Sequence, residues 1–157
     1  MTIIIDPRQR IRIELDEDSV PESERAWFDV RPLTVRHNLY LEETRDRLLA
    51  ILDLKLDDLI AASSKDAQRT PMSRRIEFFT HEMVSARVAL AIVAWGNVRD
   101  EAGNLVAMKR EPIDIFGTPD DVVAAHLVEA LGAERRVRLT SALLKSQAIP
   151  EAVAQGF

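Results

Sequence analysis

Residues 76–95, IEFFTHEMVSARVALAIVAW, decide the fold class of this chain. Ile76, Phe79, Met83, Val84, Val88, Ala91, Ile92 and Trp95 recur at steps of three and four, the apolar stripe of an amphipathic helix. Ser73 upstream suits an N-cap, and Gly96 suits the left-handed residue that closes a helix. The pattern therefore predicts one long helix ending at Gly96.

A second periodic segment precedes it. From the candidate N-cap Thr34 to Ala62 the apolar face carries Val35, Leu39, Leu48, Leu49, Ile51, Leu52, Leu56, Leu59 and Ile60, while Glu42, Glu43, Arg45, Asp46 and Arg47 take the other side. The alternation Leu52-Asp53-Leu54-Lys55-Leu56 interrupts the period, so the segment reads as one helix or as two broken near Asp53. Between the two periodic segments, Ser63 to Ser73 is polar, contains Pro71 and reads as an internal linker.

The start of the chain has a different period. Thr2 to Ile5 is β-branched, and Arg10 to Leu15 alternates Ile11, Ile13 and Leu15 with Arg10, Arg12 and Glu14, the mark of a half-buried strand. Asp16 to Glu24 reads as a surface loop. Ala26 to Val30 is again extended, with Phe28 and Val30 on one face, and Pro32 disfavours helix at Arg31. An antiparallel pair of these two runs is the simplest arrangement.

After Gly96, residues 97–104 are turn chemistry and Leu105 to Met108 is briefly extended. Pro112 to Gly117 reads as a loop with Ile113, Ile115 and Phe116 inward. Thr118-Pro119-Asp120-Asp121 reads as a helix start, with a threonine cap, proline at the first position and acids in the first turn. That helix would end at Gly132. A last one, from Ala133 to Gln147, would bury Val137, Leu139, Leu143 and Leu144 ahead of Pro150. The expected fold is mainly α: a helical domain of about four helices over residues 34–157, with a small N-terminal antiparallel β element over 1–33, α+β in that limited sense and one compact unit.

Composition excludes several function classes. With 157 residues, 46% hydrophobic and 30% charged, the chain is globular in character rather than disordered. A formal charge of −5 argues against a dedicated nucleic-acid binder. The absence of cysteine removes disulfides, thiolate nucleophiles and thiolate-held metals. The longest weakly charged stretch, Val88 to Val98, covers about half of the ~20 residues a membrane span needs. Met1 to Ile5 is too short for a leader's apolar region, so a soluble protein without a membrane partner is expected.

Catalytic motifs fail one by one. His81-Glu82 begins the zinc-protease pattern, but Ser85 stands where the second histidine must be. His37 and His126 are isolated on predicted helices. Asp120 and Asp121 are explained by helix capping, and Asp53, Asp57 and Asp58 by a solvated helix face. The run from Asp100 to Asn104 lacks the calcium-loop spacing and reads as a tight turn. No phosphate-cradling glycine motif and no nucleophile-elbow serine occurs. Arg135, Arg136 and Arg138 read as a solvated face beside Glu134. The expectation is a non-enzymatic protein with no catalytic, cofactor-binding or metal-binding residues and no cofactor.

Two stretches carry a family resemblance. Trp95-Gly96-Asn97-Val98-Arg99-Asp100-Glu101-Ala102-Gly103-Asn104, closing a predicted helix ahead of a further helix start, resembles the small tail-assembly chaperones of long-tailed bacteriophages. Trp27-Phe28-Asp29-Val30-Arg31-Pro32-Leu33-Thr34 is similar to their passage from a β segment into helices, so the resemblance spans residues 26–131. It implies a chaperone in the host cytoplasm that coats the apolar helices of the tape-measure protein, or of another tail protein. Separately, segments 35–62 and 76–95 offer more apolar positions than one buried stripe requires; the excess fills a single core or gives a face for a partner helix or for self-association. Leu48, Leu52, Leu59, Phe79, Met83 and Ile92 are the residues expected to bind the partner, as core or as groove. Trp95 is expected to anchor the helix end. The β-type opening leaves a second expectation, a virion component such as a head–tail connector or a tail accessory subunit.

Overall fold

The alternation at the start of the chain forms strand β1 (Ile11–Glu14), with Ile11 and Ile13 half-buried and Arg12 and Glu14 exposed. The computed structural model describes residues 10–15, 19–62 and 70–146. The readings of Thr2 to Ile5, of residues 63–69 and of the tail from Gln147 lie outside the described residues. β1 pairs antiparallel with β2 (Trp27–Val30), as expected, with Ile13 opposite Phe28 and Arg12 opposite Asp29. On the outer face Arg12 grips the Asp29 carboxylate through two nitrogens at 2.8 and 3.1 Å and lies 4.0 Å from the Trp27 ring.

Helix α1 (Val35–Ile51) starts at Thr34, as its sequence indicates, and α2 (Leu56–Ala62) follows a break at Asp53. Helix α3 (Pro71–Ala91) begins one turn earlier than Ser73 suggests. Thr70 is its N-cap, Pro71 fills the first turn where a missing N–H costs nothing, and Ser73 returns the bond: its hydroxyl accepts from Thr70 N–H at 2.7 Å while Thr70 Oγ1 accepts from Ser73 N–H at 3.1 Å.

The expectation of a mainly helical chain with β structure only at its start is overturned. The structure is α+β, with five α-helices and two antiparallel sheets among the described residues. Two segments expected to be helical are strands. Helix α3 stops at Ala91, and Ile92–Gly96 continues directly as β3, which pairs with the other edge of β2 to complete a sheet of order β1-β2-β3. The β-branched pair Ile92-Val93 suits that conformation, and β2 would otherwise be an edge with unpaired backbone. Val30 lies opposite Ile92 and Asp29 opposite Ala94, so Val93 is the extra residue of a bulge.

The second correction is at Thr118. Strand β4 (Arg110–Ile115) and β5 (Thr118–Val123) form a hairpin closed by Phe116 and Gly117, both at positive φ (51° and 79°), the signature of a type I′ turn. Pro119 and Pro112 lie two strand positions apart in register, at Asp114↔Pro119 and Pro112↔Asp121. Counting from the closing pair Ile115↔Thr118, both fall where an antiparallel ladder needs no N–H donor. The Thr-Pro-Asp-Asp run therefore satisfies a hairpin as well as a helix start. The following helix is shortened to α4 (Ala125–Ala130), and α5 (Ala133–Ser146) ends the described chain.

One large cluster holds these parts together: Phe28 and Val30 from β2, Val88 and Leu90 from α3, Ile92 and Trp95 from β3, Ile115 and Val123 from the hairpin, Leu139 and Leu143 from α5. Trp95 meets Phe28 edge-on at 6.1 Å between ring centres, and its indole N–H donates to the Val106 carbonyl at 2.9 Å. It anchors a strand, not a helix end. Val137, Leu144 and Phe116 are exposed, against expectation, because α5 turns only its Leu139 and Leu143 side inward and Phe116 sits at the hairpin tip.

Gly96 lies opposite Trp27, and a Cβ there would run into the indole ring. The substitution Gly96→Ala is expected to cost about 1–3 kcal/mol in chemical denaturation, the scale of overpacking, and less in a Trp27→Val background where the ring is gone. An equal loss in both backgrounds would place the cost elsewhere.

Candidate functional site

Five of the six residues expected to meet a partner come together at one end of the molecule. Leu49, Leu54 and Phe79 form a small second core, and Leu48, Leu52, Leu59, Ile76 and Met83 pack around it half-buried. Helix α1 ends there in a Schellman closure. Asp53 takes the left-handed conformation (φ 52°), Asp53 N–H donates to Ala50 O at 3.3 Å and Leu54 N–H to Leu49 O at 2.9 Å, and Leu49 and Leu54 are both buried. Arg75 of α3 donates to the Leu52 carbonyl at 3.0 Å, tying the two helix ends together. Met83 also touches the large core, so it joins the two clusters. Ile92, the sixth residue, is fully buried in β3 and is core.

Around this end the apolar surface continues outward. Ile51 is 70% exposed, Leu56 53% and Phe78 51%, on the same three helices that build the small core. Single exposed apolar residues are common on any surface; here three stand on the elements that surround one half-buried cluster.

The opposite end of α1 carries a polar knot that the sequence reading does not assemble. The Asp120 carboxylate of β5 accepts from Arg31 Nη1 at 3.0 Å, from Arg36 Nη2 at 3.1 Å and from His37 Nε2 at 2.7 Å, and from Asp121 N–H at 2.8 Å. Arg31 also donates to the Leu90 and Asp121 carbonyls, at 2.9 and 3.2 Å. Asp120 and Arg31 are largely shielded from solvent and His37 is buried. His37 occupies the third helical position and closes a capping box. Its backbone N–H donates to Thr34 Oγ1 at 3.4 Å, and its Nδ1 accepts from Thr34 N–H at 3.1 Å. Because Nδ1 accepts, the ring proton sits on Nε2 and points at Asp120.

Burial lowers the His37 pKa, and the charges of Arg31 and Arg36 push the same way against the pull of Asp120. Burial works against the Asp120 charge, but bonds from His37, Asp121 N–H and Arg31 outweigh it and lower its pKa to about 2. The visible signal was Thr34-x-x-His37, a capping box with histidine in the glutamate position. Asp120 could not be seen as its partner while Thr118 to Asp121 read as a helix start.

The remaining candidates are not brought together. His81 is half-buried on α3 and His126 is exposed on α4. Ser85, where a zinc site would need histidine, accepts from Arg136 Nη1 at 2.7 Å and links α3 to α5. Asp100 to Asn104 is a tight turn, with Asp100 Oδ1 accepting from Asn104 N–H at 2.9 Å. No group of acidic or histidine side chains among the described residues is arranged to hold a metal ion. An open cleft of about 860 Å³ beside that turn is lined by Arg99, Glu101, Glu129, Glu134 and Arg138, charges of both signs. No described helix is long and apolar enough to cross a membrane. Comparison with family models, curated proteins and solved structures finds no match to the chain.

The knot fixes the sign of a pH dependence. The unfolded chain takes up protons on His37 below its ordinary pKa of 6.5, and on Asp120 below 3.8, where the folded chain resists both. Stability is therefore complete above pH 6.5 and falls as the pH drops below it, with a further fall below about 3.8. Denaturant midpoints measured across pH 5–8 should be level above pH 6.5 and fall below it, which is the first loss. His37→Gln keeps a capping-box residue and should flatten that slope.

Proposed function

We propose that this protein is a non-enzymatic binding protein of phage tail assembly, a chaperone that covers apolar helical segments of a tape-measure protein in the host cytoplasm until the tail tube forms around them. The observation that carries this reading is the helical end where Leu48, Leu52, Leu59 and Met83 stay half-buried around a core of only Leu49, Leu54 and Phe79, with Ile51, Leu56 and Phe78 exposed beside them. Leucine and methionine contacts of this kind accept many apolar partners, since burial of apolar surface is non-directional and methionine adapts its shape. A full side chain of that type is worth about 1.5–3 kcal/mol when removed from water, so a few of them suffice for reversible capture. The net charge of −5 keeps such a complex in solution. The resemblance of Trp27 to Thr34 to the passage from a β segment into helices in tail-assembly chaperones supports the same role, whereas Trp95 to Asn104 closes a strand and lends it nothing. In this reading Ile92 supports the fold and the other five residues form the floor of the docking end.

Affinity capture of the tagged chain from infected or induced cells should bring down a long, apolar, helical tape-measure protein, while purified particles lack the chain. Ile51→Ser combined with Leu56→Ser should leave the thermal midpoint nearly unchanged and weaken capture about tenfold or more, from the area lost. Recovery of the chain in fixed stoichiometry from mature particles would replace this reading with a connector or tail accessory subunit. Undiminished capture by the double variant would move the docking end elsewhere.

A further inference from the structure

Among the described residues, strand β1 has a paired neighbour on one side alone, since its sheet runs β1-β2-β3. The direction of its remaining backbone groups follows from β2. Arg31 N–H donates to the Ala91 carbonyl at 2.9 Å, on the β3 side. Backbone groups alternate in direction along a strand, so those of Val30 and Phe28 face β1, and their partners Ile11 and Ile13 face back. Arg12 and Glu14 therefore direct their N–H and C=O out of the open sheet edge. The side chains divide by face. Ile11 and Ile13 pack half-buried against the main core, and Arg12 and Glu14 are exposed on the outer face, where Asp29 and the Trp27 ring hold Arg12.

We propose that β1 is a self-association edge, on which a second copy of this chain pairs antiparallel about a two-fold axis at Ile13. Residues 11–15 read Ile-Arg-Ile-Glu-Leu, a pattern that complements itself when reversed. In this register Arg12 lies opposite the partner's Glu14 and Glu14 opposite the partner's Arg12. Along the inner face Ile13 meets the partner's Ile13, and Ile11 meets the partner's Leu15. Charge complementarity is what selects a second copy as the occupant. Opposite charges directly across a ladder stabilise it and like charges weaken it, so a register centred on Arg12, which sets arginine against arginine, is disfavoured. The backbone agrees: Arg12 and Glu14 are the residues that face the edge, so each charge pair is also a hydrogen-bonded pair. Pairing doubles the three-stranded sheet and covers the open flank of Ile11 and Ile13. A contact of this length falls below the ~1,000 Å² of a stable interface, so the dimer is weak and forms as concentration rises. The edge shares no residue with the helical docking end and does not rest on the chaperone reading.

Sedimentation equilibrium of the full chain from about 10 μM to about 1 mM should show a monomer–dimer equilibrium. Glu14→Pro removes an outward N–H and no bond between β1 and β2, so it should abolish the dimer at an unchanged thermal midpoint. Glu14→Lys, which puts like charges opposite each other at both pairs, should weaken association about fivefold or more. The chain has no cysteine, so a single introduced thiol reports the register. Ile13→Cys brings two thiols together across the axis and should oxidise to a disulfide dimer, whereas Ile11→Cys, set opposite leucine, should not. Ile51→Ser combined with Leu56→Ser should leave the dimer intact, which separates failure of the edge from failure of the docking end. A chain that stays monomeric throughout would overturn the proposal. So would a dimer that survives Glu14→Pro, a dimer lost in the Ile51→Ser, Leu56→Ser variant, or equal cross-linking through positions 11 and 13.

Discussion

The structure depends on one carboxylate. Asp120 joins the hairpin to the first turn of α1 through His37 and Arg36, and to the end of β2 through Arg31, which in turn holds the last turn of α3 by the Leu90 carbonyl. Four separate elements thus meet at a group that is largely withdrawn from water. Such a charge is tolerated only when its lone pairs are filled, and here four donors fill them. The geometry also explains why the helix cap uses histidine: a glutamate at position 37 would set a second carboxylate against Asp120, whereas neutral imidazole accepts on one nitrogen and donates from the other.

Legibility of the fold in the sequence followed the period of the apolar residues and failed where two periods fit. Ile11 and Ile13 alternate without ambiguity, and the β1–β2 pair is where it was expected. Thr34 has one possible helix downstream and caps it. Ile92 to Trp95 fits both readings, because Ile92 and Trp95 continue the helical stripe while Ile92-Val93 also starts a strand. What decides is distant: β2 has a second edge to satisfy, and that requirement is invisible locally. At Thr118 the misreading is chemical. Threonine, proline and two acids start helices well, yet the left-handed pair Phe116-Gly117 folds the chain back first and leaves the same residues as a strand.

The small second core was legible for the opposite reason. Leu48, Leu52, Leu59, Phe79 and Met83 lie on the two strongly periodic segments, and they gather where α1, α2 and α3 run past the main core. Ile92 continues the predicted stripe but falls in the main core, because it belongs to a strand. The polar knot was legible only in its local half, Thr34-x-x-His37. Arg31 and His37 lie more than eighty positions from Asp120 in sequence, and only the hairpin brings the carboxylate to them.

The two ends of α1 differ in what they ask of the helix. Its first turn is clamped by charge-assisted bonds whose geometry is narrow, so that end is positioned rigidly on the sheets. Its last turn rests on three buried residues and a chain reversal at Asp53, where a non-glycine residue is held in the left-handed region at some cost. Few buried contacts mean low local stability. On the proposed reading, that lets leucine and methionine side chains repack around an apolar partner while the clamped first turn keeps the helix in place on the sheets.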